Sequence, residues 1–197
     1  MANGAELEFS KKSKRDLQHI REEVSAHLRY FPDFPKKGIV FVDIMKLMRN
    51  SALLDELCKA VAEHVRAEIP VFVDAVGALE SRGFLFGPQI AIALNVPFIP
   101  IRKKGKLPGK TLQAVYQKEY GEDVIEIQAD AVQPQSKVLL VDDLLATGGT
   151  LGAAIKLIEK AGGEVVEAFV LVQLSYLNPL EHIPKHTPVY SLIKIDE

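Results

Sequence analysis

Two adjacent carboxylates, Asp142 and Asp143, stand directly before Leu144-Leu145-Ala146-Thr147-Gly148-Gly149-Thr150. Carboxylates repel phosphate, but they accept hydrogen bonds from vicinal hydroxyls or hold a metal ion. The stretch Ala146-Thr147-Gly148-Gly149-Thr150 offers successive backbone N–H groups with almost no side-chain bulk. Two threonine hydroxyls add donors. Together these suit a dianionic monophosphate at a helix N-terminus. No Lys follows the glycines, so this is not a P-loop, and the spacing is not G-x-G-x-x-G. A phosphate cradle beside a diol acceptor describes a site for a ribose 5-phosphate group.

Other residues could act on an anion. Glu80-Ser81-Arg82-Gly83 follows an apolar run and precedes a helix-like one, so its turn can aim backbone N–H groups at a charged ligand. Arg102-Lys103-Lys104-Gly105-Lys106 is a cationic cluster. Taken singly, the first is an ordinary helix cap and the second a solvated charge run. His19, His27, His64, His182 and His186 have no metal-binding spacing and read as surface residues. Cys58 lies in a helical pattern and reads as a small buried hydrophobe.

These groups need elements to hold them. Val138-Leu139-Leu140-Val141 is a run expected of a strand buried on both faces, ending at the carboxylates, with a helix over Leu151 to Ala161 behind the small residues. Upstream, the spacing predicts a mobile tail over residues 1–14 and an amphipathic helix from Asp16 to Leu28. A short strand at Ile39 to Ile44 and a helix capped by Asn50 or Ser51 follow. Further strands are predicted at Val71 to Val76, Phe98 to Ile101, Val124 to Ile127, Glu164 to Val172 and Val189 to Ile195, with a helix ending near Leu94. Lys103 to Tyr120 reads as a long loop able to close over a site, although Thr111 to Tyr120 can be extended. Alternating strands and helices predict an α/β fold with a mostly parallel sheet flanked by helices.

Composition narrows the class. The chain has 197 residues, 48% of them hydrophobic, and a formal net charge of -2. That charge argues against a nucleic-acid binder or a membrane-surface protein. No apolar run is long enough to span a bilayer. A single cysteine excludes an internal disulfide framework and fits a reducing compartment, by default the cytosol.

Val141-Asp142-Asp143-Leu144-Leu145-Ala146-Thr147-Gly148-Gly149-Thr150 resembles the phosphoribosyl pyrophosphate (PRPP) signature of type I phosphoribosyltransferases. Phe31-Pro32-Asp33-Phe34-Pro35 with Gly38, Glu80 to Gly87, and Ile101 to Gly109 resemble the members that act on adenine, in the same chain order. The resemblance implies the type I phosphoribosyltransferase fold. A small hood, formed from about residues 15–45 and the C-terminal region of one domain over residues 15–197, would cover the base. It implies conversion of adenine and PRPP to AMP and pyrophosphate, with Mg2+ carried by PRPP, Asp142 a possible ligand, and a homodimer.

On the same resemblance, Asp142 and Asp143 hold the ribose hydroxyls and Ala146, Thr147, Gly148, Gly149 and Thr150 hold the 5′-phosphate. Glu80, Ser81, Arg82, Arg102, Lys103 and Lys106 serve the pyrophosphate. Cations there lower the barrier to departure of a highly charged leaving group. Arg102 and Glu119 are the implied catalytic residues, Glu119 handling a proton on the purine. Val40, Phe41, Val42 and Leu174 line the base. Val42 departs from the pattern, for family members commonly carry Arg there. A guanidinium brings fork-like donors and a stacking plane that Val lacks. The alternatives that follow are a phosphoribosyltransferase for another purine base, or a catalytically weak paralogue that binds PRPP or AMP.

Overall fold

The computed structural model describes Leu17 and residues 19–118 and 121–196. The chain divides into two compact units, Met1–Glu68 and Ile69–Glu197.

In the first unit, helix α1 (residues 19–26) buries Ile20 and Val24, with Leu17 and Leu28 buried at either side, the stripe expected from the sequence. Strands β1 (Arg29–Pro32) and β2 (Val40–Asp43) form an antiparallel pair in which Tyr30 faces Val42. Helix α2 (Met45–Met48) precedes the long helix α3 (Ser51–Glu68). The Asn50 side-chain oxygen accepts the Leu53 N–H at 3.2 Å, so Asn50 is the cap. Cys58 is buried on α3, as expected. His64 is buried too, at 5% exposure, and is not a surface histidine. It stands three and seven residues beyond Val61 and Leu57, so helical geometry places it on their apolar stripe.

The second unit is built on a seven-stranded sheet. Its strands are β3 (Ala75–Leu79), β4 (Phe98–Lys103), β5 (Thr111–Lys118), β6 (Gly121–Gln128), β7 (Lys137–Leu145), β8 (Glu164–Leu174) and β9 (Val189–Ile195), in the order β5-β6-β4-β3-β7-β8-β9. The five strands from β4 to β9 across the sheet run parallel, and the hairpin β5–β6 adds an antiparallel edge. Helices α4 (Gly87–Leu94) and α5 (Gly149–Lys160) complete the α/β architecture expected from the sequence. Val138, Leu139, Leu140 and Val141 of β7 are fully buried, consistent with a central parallel strand covered on both faces. Leu140 and Val138 join Leu151, Ile155 and Ile158 of α5 in the core.

Several boundaries differ from the sequence reading. The strand predicted at Val71 begins at Ala75, and Phe72 is 74% exposed. Residues 71–73 have strand composition, but the ladders of β4 and β7 pair with Ala75 to Leu79. Of the segment Lys103 to Tyr120, read as a long loop in which Thr111 to Tyr120 can be extended, Thr111 to Lys118 is strand and pairs residue by residue with β6. Asp142 and Asp143 lie within β7 and do not follow it, because pairing with β8 continues to Leu145.

Candidate active site

The chain runs from β3 to β4 on one side, then returns to β7 on the other side of β3. Strand order therefore reverses between β3 and β7, and a crevice opens at their carboxyl ends. A cleft of about 250 Å³ lies there. Most of its wall comes from three segments, and Tyr116 adds to it from β5. Glu80, Ser81 and Arg82 follow β3, Asp142 to Leu145 end β7, and Ala146, Thr147, Gly148 and Thr150 lead into α5.

Each segment has a local reason for its shape. Gly83 allows the turn after β3 to lie against β7: a Cβ there would meet the Val141 carbonyl at 2.9 Å and Asp142 Oδ1 at 3.3 Å. The Glu80–Ser81 peptide is cis. Gly148 is the N-cap of α5 in the left-handed region, with φ 85°, and a Cβ there would lie 2.1 Å from the Pro179 carbonyl. No side chain caps this helix. Its first-turn N–H groups have no intrahelical acceptor and carry the positive end of the helix dipole, and Gly148, Thr150 and Leu151 line the cleft.

The carboxylates are electrostatically loaded. Asp143 is 4% exposed. Burial raises its pKa, and the Arg82 guanidinium beside it, with Nε 3.0 Å from Oδ2, opposes that rise. Asp142 is pushed well above the ordinary carboxylate range, first by burial and then by the charge of Asp143. Its Oδ1 accepts the Asp143 N–H at 2.9 Å. Such a pair gains from a ligand that brings hydroxyl donors or positive charge.

The basic cluster forms the adjoining feature. Arg102, the penultimate residue of β4, reaches Glu80, Nε to Oε2 at 2.6 Å, while its Nη1 donates to the Lys106 carbonyl at 3.0 Å. Lys103 and Lys106 are exposed at the end of β4 and on the turn beyond it. Thus Arg102 links the turn after β3 to the cationic turn after β4. Leu174 is buried as the last residue of β8. In the other unit, Val40 is exposed, Phe41 half-buried with its ring edge-on to Phe34, and Val42 buried at 2% exposure. Glu119 lies outside the described residues.

Two contributors escaped the sequence reading. Tyr116 of β5 lines the cleft, with its hydroxyl donating to Asp123 at 3.2 Å. The sequence placed it in a segment able to close over a site, but nothing there singled out its side chain. Glu126 of β6 is 2% exposed, although Ile125-Glu126-Ile127 alternates like a strand with a solvent-facing Glu.

Residues 45–196 match the family model described as a phosphoribosyl transferase domain. The adenine phosphoribosyltransferase of Caenorhabditis elegans is 58% identical over 85% of this chain and 90% of its own. That of Yarrowia lipolytica is 42% identical over 92% and 99%. Among solved structures, adenine phosphoribosyltransferase from Saccharomyces cerevisiae, complexed with an imino-altritol bisphosphate and adenine, superposes with a TM-score of 0.86. It is 40% identical, covering 89% of this chain and 99% of its own. The Trypanosoma brucei enzyme, in complex with AMP, pyrophosphate and ribose-5-phosphate, gives 0.81 at 26% identity over 89% and 79%. Relatives of this similarity do not favour the alternatives raised by Val42. The seven-stranded sheet is thus that of a type I phosphoribosyltransferase fold, and the chain belongs to the adenine phosphoribosyltransferase family.

Proposed function

We propose that the protein transfers the 5-phosphoribosyl group of PRPP to N9 of adenine, giving AMP and pyrophosphate. The observation that carries this reading is the 58% identity to an adenine phosphoribosyltransferase across most of both chains. The cleft supports it, because an uncapped helix N-terminus and an acidic pair, half-buried Asp142 and buried Asp143, share its wall.

In this reading the N–H groups and hydroxyls of Ala146 to Thr150 hold the 5′-phosphate. Asp142 and Asp143 accept the ribose hydroxyls, whose donors offset the repulsion between the two carboxylates. The bond from the anomeric carbon to pyrophosphate breaks with its electron pair leaving on the pyrophosphate oxygen. The N9 lone pair closes the new bond, and Glu119 handles the purine proton. Arg82, Arg102, Lys103 and Lys106 neutralise the departing charge, so Arg82 exchanges Asp143 for the ligand. Positioning and electrostatics supply most of the rate enhancement, since the protein forms no covalent bond.

Among the described residues no group of three or more His, Cys, Asp or Glu could form a metal cage. The carboxylate of Asp142 in the cleft fits Mg2+ shared with substrate oxygens, the usual arrangement for this ion, and Asp142 would hold it. Bound there, Mg2+ would neutralise pyrophosphate charge. We assign the purine to Val40, Phe41, Val42 and Leu174 on the resemblance of their motifs. A homodimer in a reducing cytosol completes the proposal. Among the described residues no helix is long and apolar enough to cross a membrane.

The test is product formation from PRPP with adenine, hypoxanthine, guanine and xanthine in turn, on wild type and Val42→Arg. AMP formation by wild type, with adenine far ahead of the other bases, is expected. Turnover of another base in preference to adenine, or activity that appears only in Val42→Arg, overturns the proposal.

A further inference from the structure

Glu126 has a position unlike any other carboxylate described. It sits on β6 between Ile125 and Ile127, which face the core, and its own side chain is covered on the opposite face of the sheet. Oε1 accepts the N–H groups of Lys106 at 3.1 Å and Leu107 at 3.2 Å. Oε2 accepts the Thr111 hydroxyl at 3.2 Å and the Gln113 amide at 3.1 Å. Oε1 thus holds the segment joining β4 to β5, and Oε2 holds the first residues of β5, where Gln113 is its cross-strand partner. Burial alone would raise the carboxyl pKa. Hydrogen bonds from Leu107, Gln113, Thr111 and Lys106 outweigh it and hold the group below its usual value, so the side chain is ionised.

The segment it grips carries the cationic cluster. Lys106 is held at both its peptide groups: its N–H by Glu126 and the Lys103 carbonyl, and its own carbonyl by Arg102. Arg102 in turn pairs with Glu80 on the turn after β3. A continuous run of charge-assisted hydrogen bonds therefore leads from buried Glu126 through the backbone of Lys106 and the Arg102 guanidinium to the cleft wall. Free exposed lysines on a mobile turn lose their alignment with a leaving group. A turn fixed from beneath keeps it.

We propose that Glu126 is a positioning residue for pyrophosphate: it fixes the Lys103–Lys110 turn, and through it Arg102, in the geometry that receives the pyrophosphate end of PRPP. The proposal rests on the reading of the cleft as a PRPP site. It assigns Glu126 no contact with substrate.

The experiment compares Glu126→Ala, Glu126→Gln and Thr111→Val with wild type. For Glu126→Ala, loss of charge-assisted bonds raises the KM for PRPP by roughly 10-fold or more, with the KM for adenine unchanged. Glu126→Gln keeps an oxygen for the Lys106 and Leu107 amides, while Thr111 and Gln113 can turn to accept from its amide, so it recovers most of the loss. Thr111→Val gives a smaller, severalfold rise and serves if Glu126→Ala shows no cooperative melt. A folded Glu126→Ala with wild-type KM for PRPP overturns the proposal. So do parallel changes in both KM values, as a merely structural role would give, or wild-type values in both Glu126→Gln and Thr111→Val. Calorimetric binding of inorganic pyrophosphate to the same proteins separates the two readings. A wild type that makes no AMP but binds pyrophosphate more tightly than Glu126→Ala overturns the assigned activity and upholds the positioning role. A wild type that makes AMP but binds no pyrophosphate overturns the positioning role alone, and one that does neither overturns both.

Discussion

Asp142 concentrates the conflict between stability and ligand binding in one side chain. Burial and the charge of Asp143 raise its pKa in the folded state. The sign of the linkage follows. A carboxyl whose folded pKa lies above its unfolded value of about 3.9 favours the native state when protonated. That stability is complete below about pH 4 and declines as pH rises through the folded value. Asp142→Asn removes this titration while keeping an oxygen for the Asp143 N–H. The ligand-free variant is expected to melt above wild type at neutral pH, with the difference shrinking as pH falls towards 4. Melting curves across that range check it, and a difference independent of pH would count against the assignment. The same substitution removes an anionic acceptor for a ribose hydroxyl, so kcat/KM for PRPP should fall by roughly 10–100-fold. A site that carries such a cost without ligand is retained for what it binds.

At the scale of elements, the loop from β7 into α5 is constrained from two sides. It lines the cleft, while its back meets the short 3-10 turn Pro179–His182. Gly148 makes both possible, because its φ of 85° bends the chain into the helix and its missing Cβ leaves room for the Pro179 carbonyl. Gly148→Ala should therefore cost on the order of 1–3 kcal/mol in backbone strain, with a further steric cost as the 3-10 turn is displaced. The displaced amides should raise the KM for PRPP by about 10-fold or more, with little change for adenine. Steady-state kinetics and a denaturant titration of the variant measure both effects. An alanine variant with wild-type stability would show that the 3-10 turn yields easily.

At the scale of the whole molecule, the site depends on the parallel sheet that aligns β3 with β7. Leu171 of β8 is fully buried in that sheet, away from the cleft wall. Leu171→Ala should cost about 2–5 kcal/mol in denaturant unfolding while leaving both KM values near wild type. The sequence by itself determined the kinds of element and the local chemistry. The run Val138 to Val141 required a buried strand, and the residues Ala146 to Thr150 required an anion cradle, because composition and spacing act over a few residues. The four motifs carried the family in the same way. The tertiary structure decided how these pieces meet. Pairing with β8 carried β7 past its carboxylates, and pairing with β6 decided for strand in a segment that the sequence left between loop and extended chain. It placed Arg82 on Asp143 and Arg102 on Glu80. It also buried Glu126, whose alternation with Ile125 and Ile127 reads as solvent-facing. Burial and strand pairing depend on neighbours distant in the chain, and no local pattern of residue types contains them.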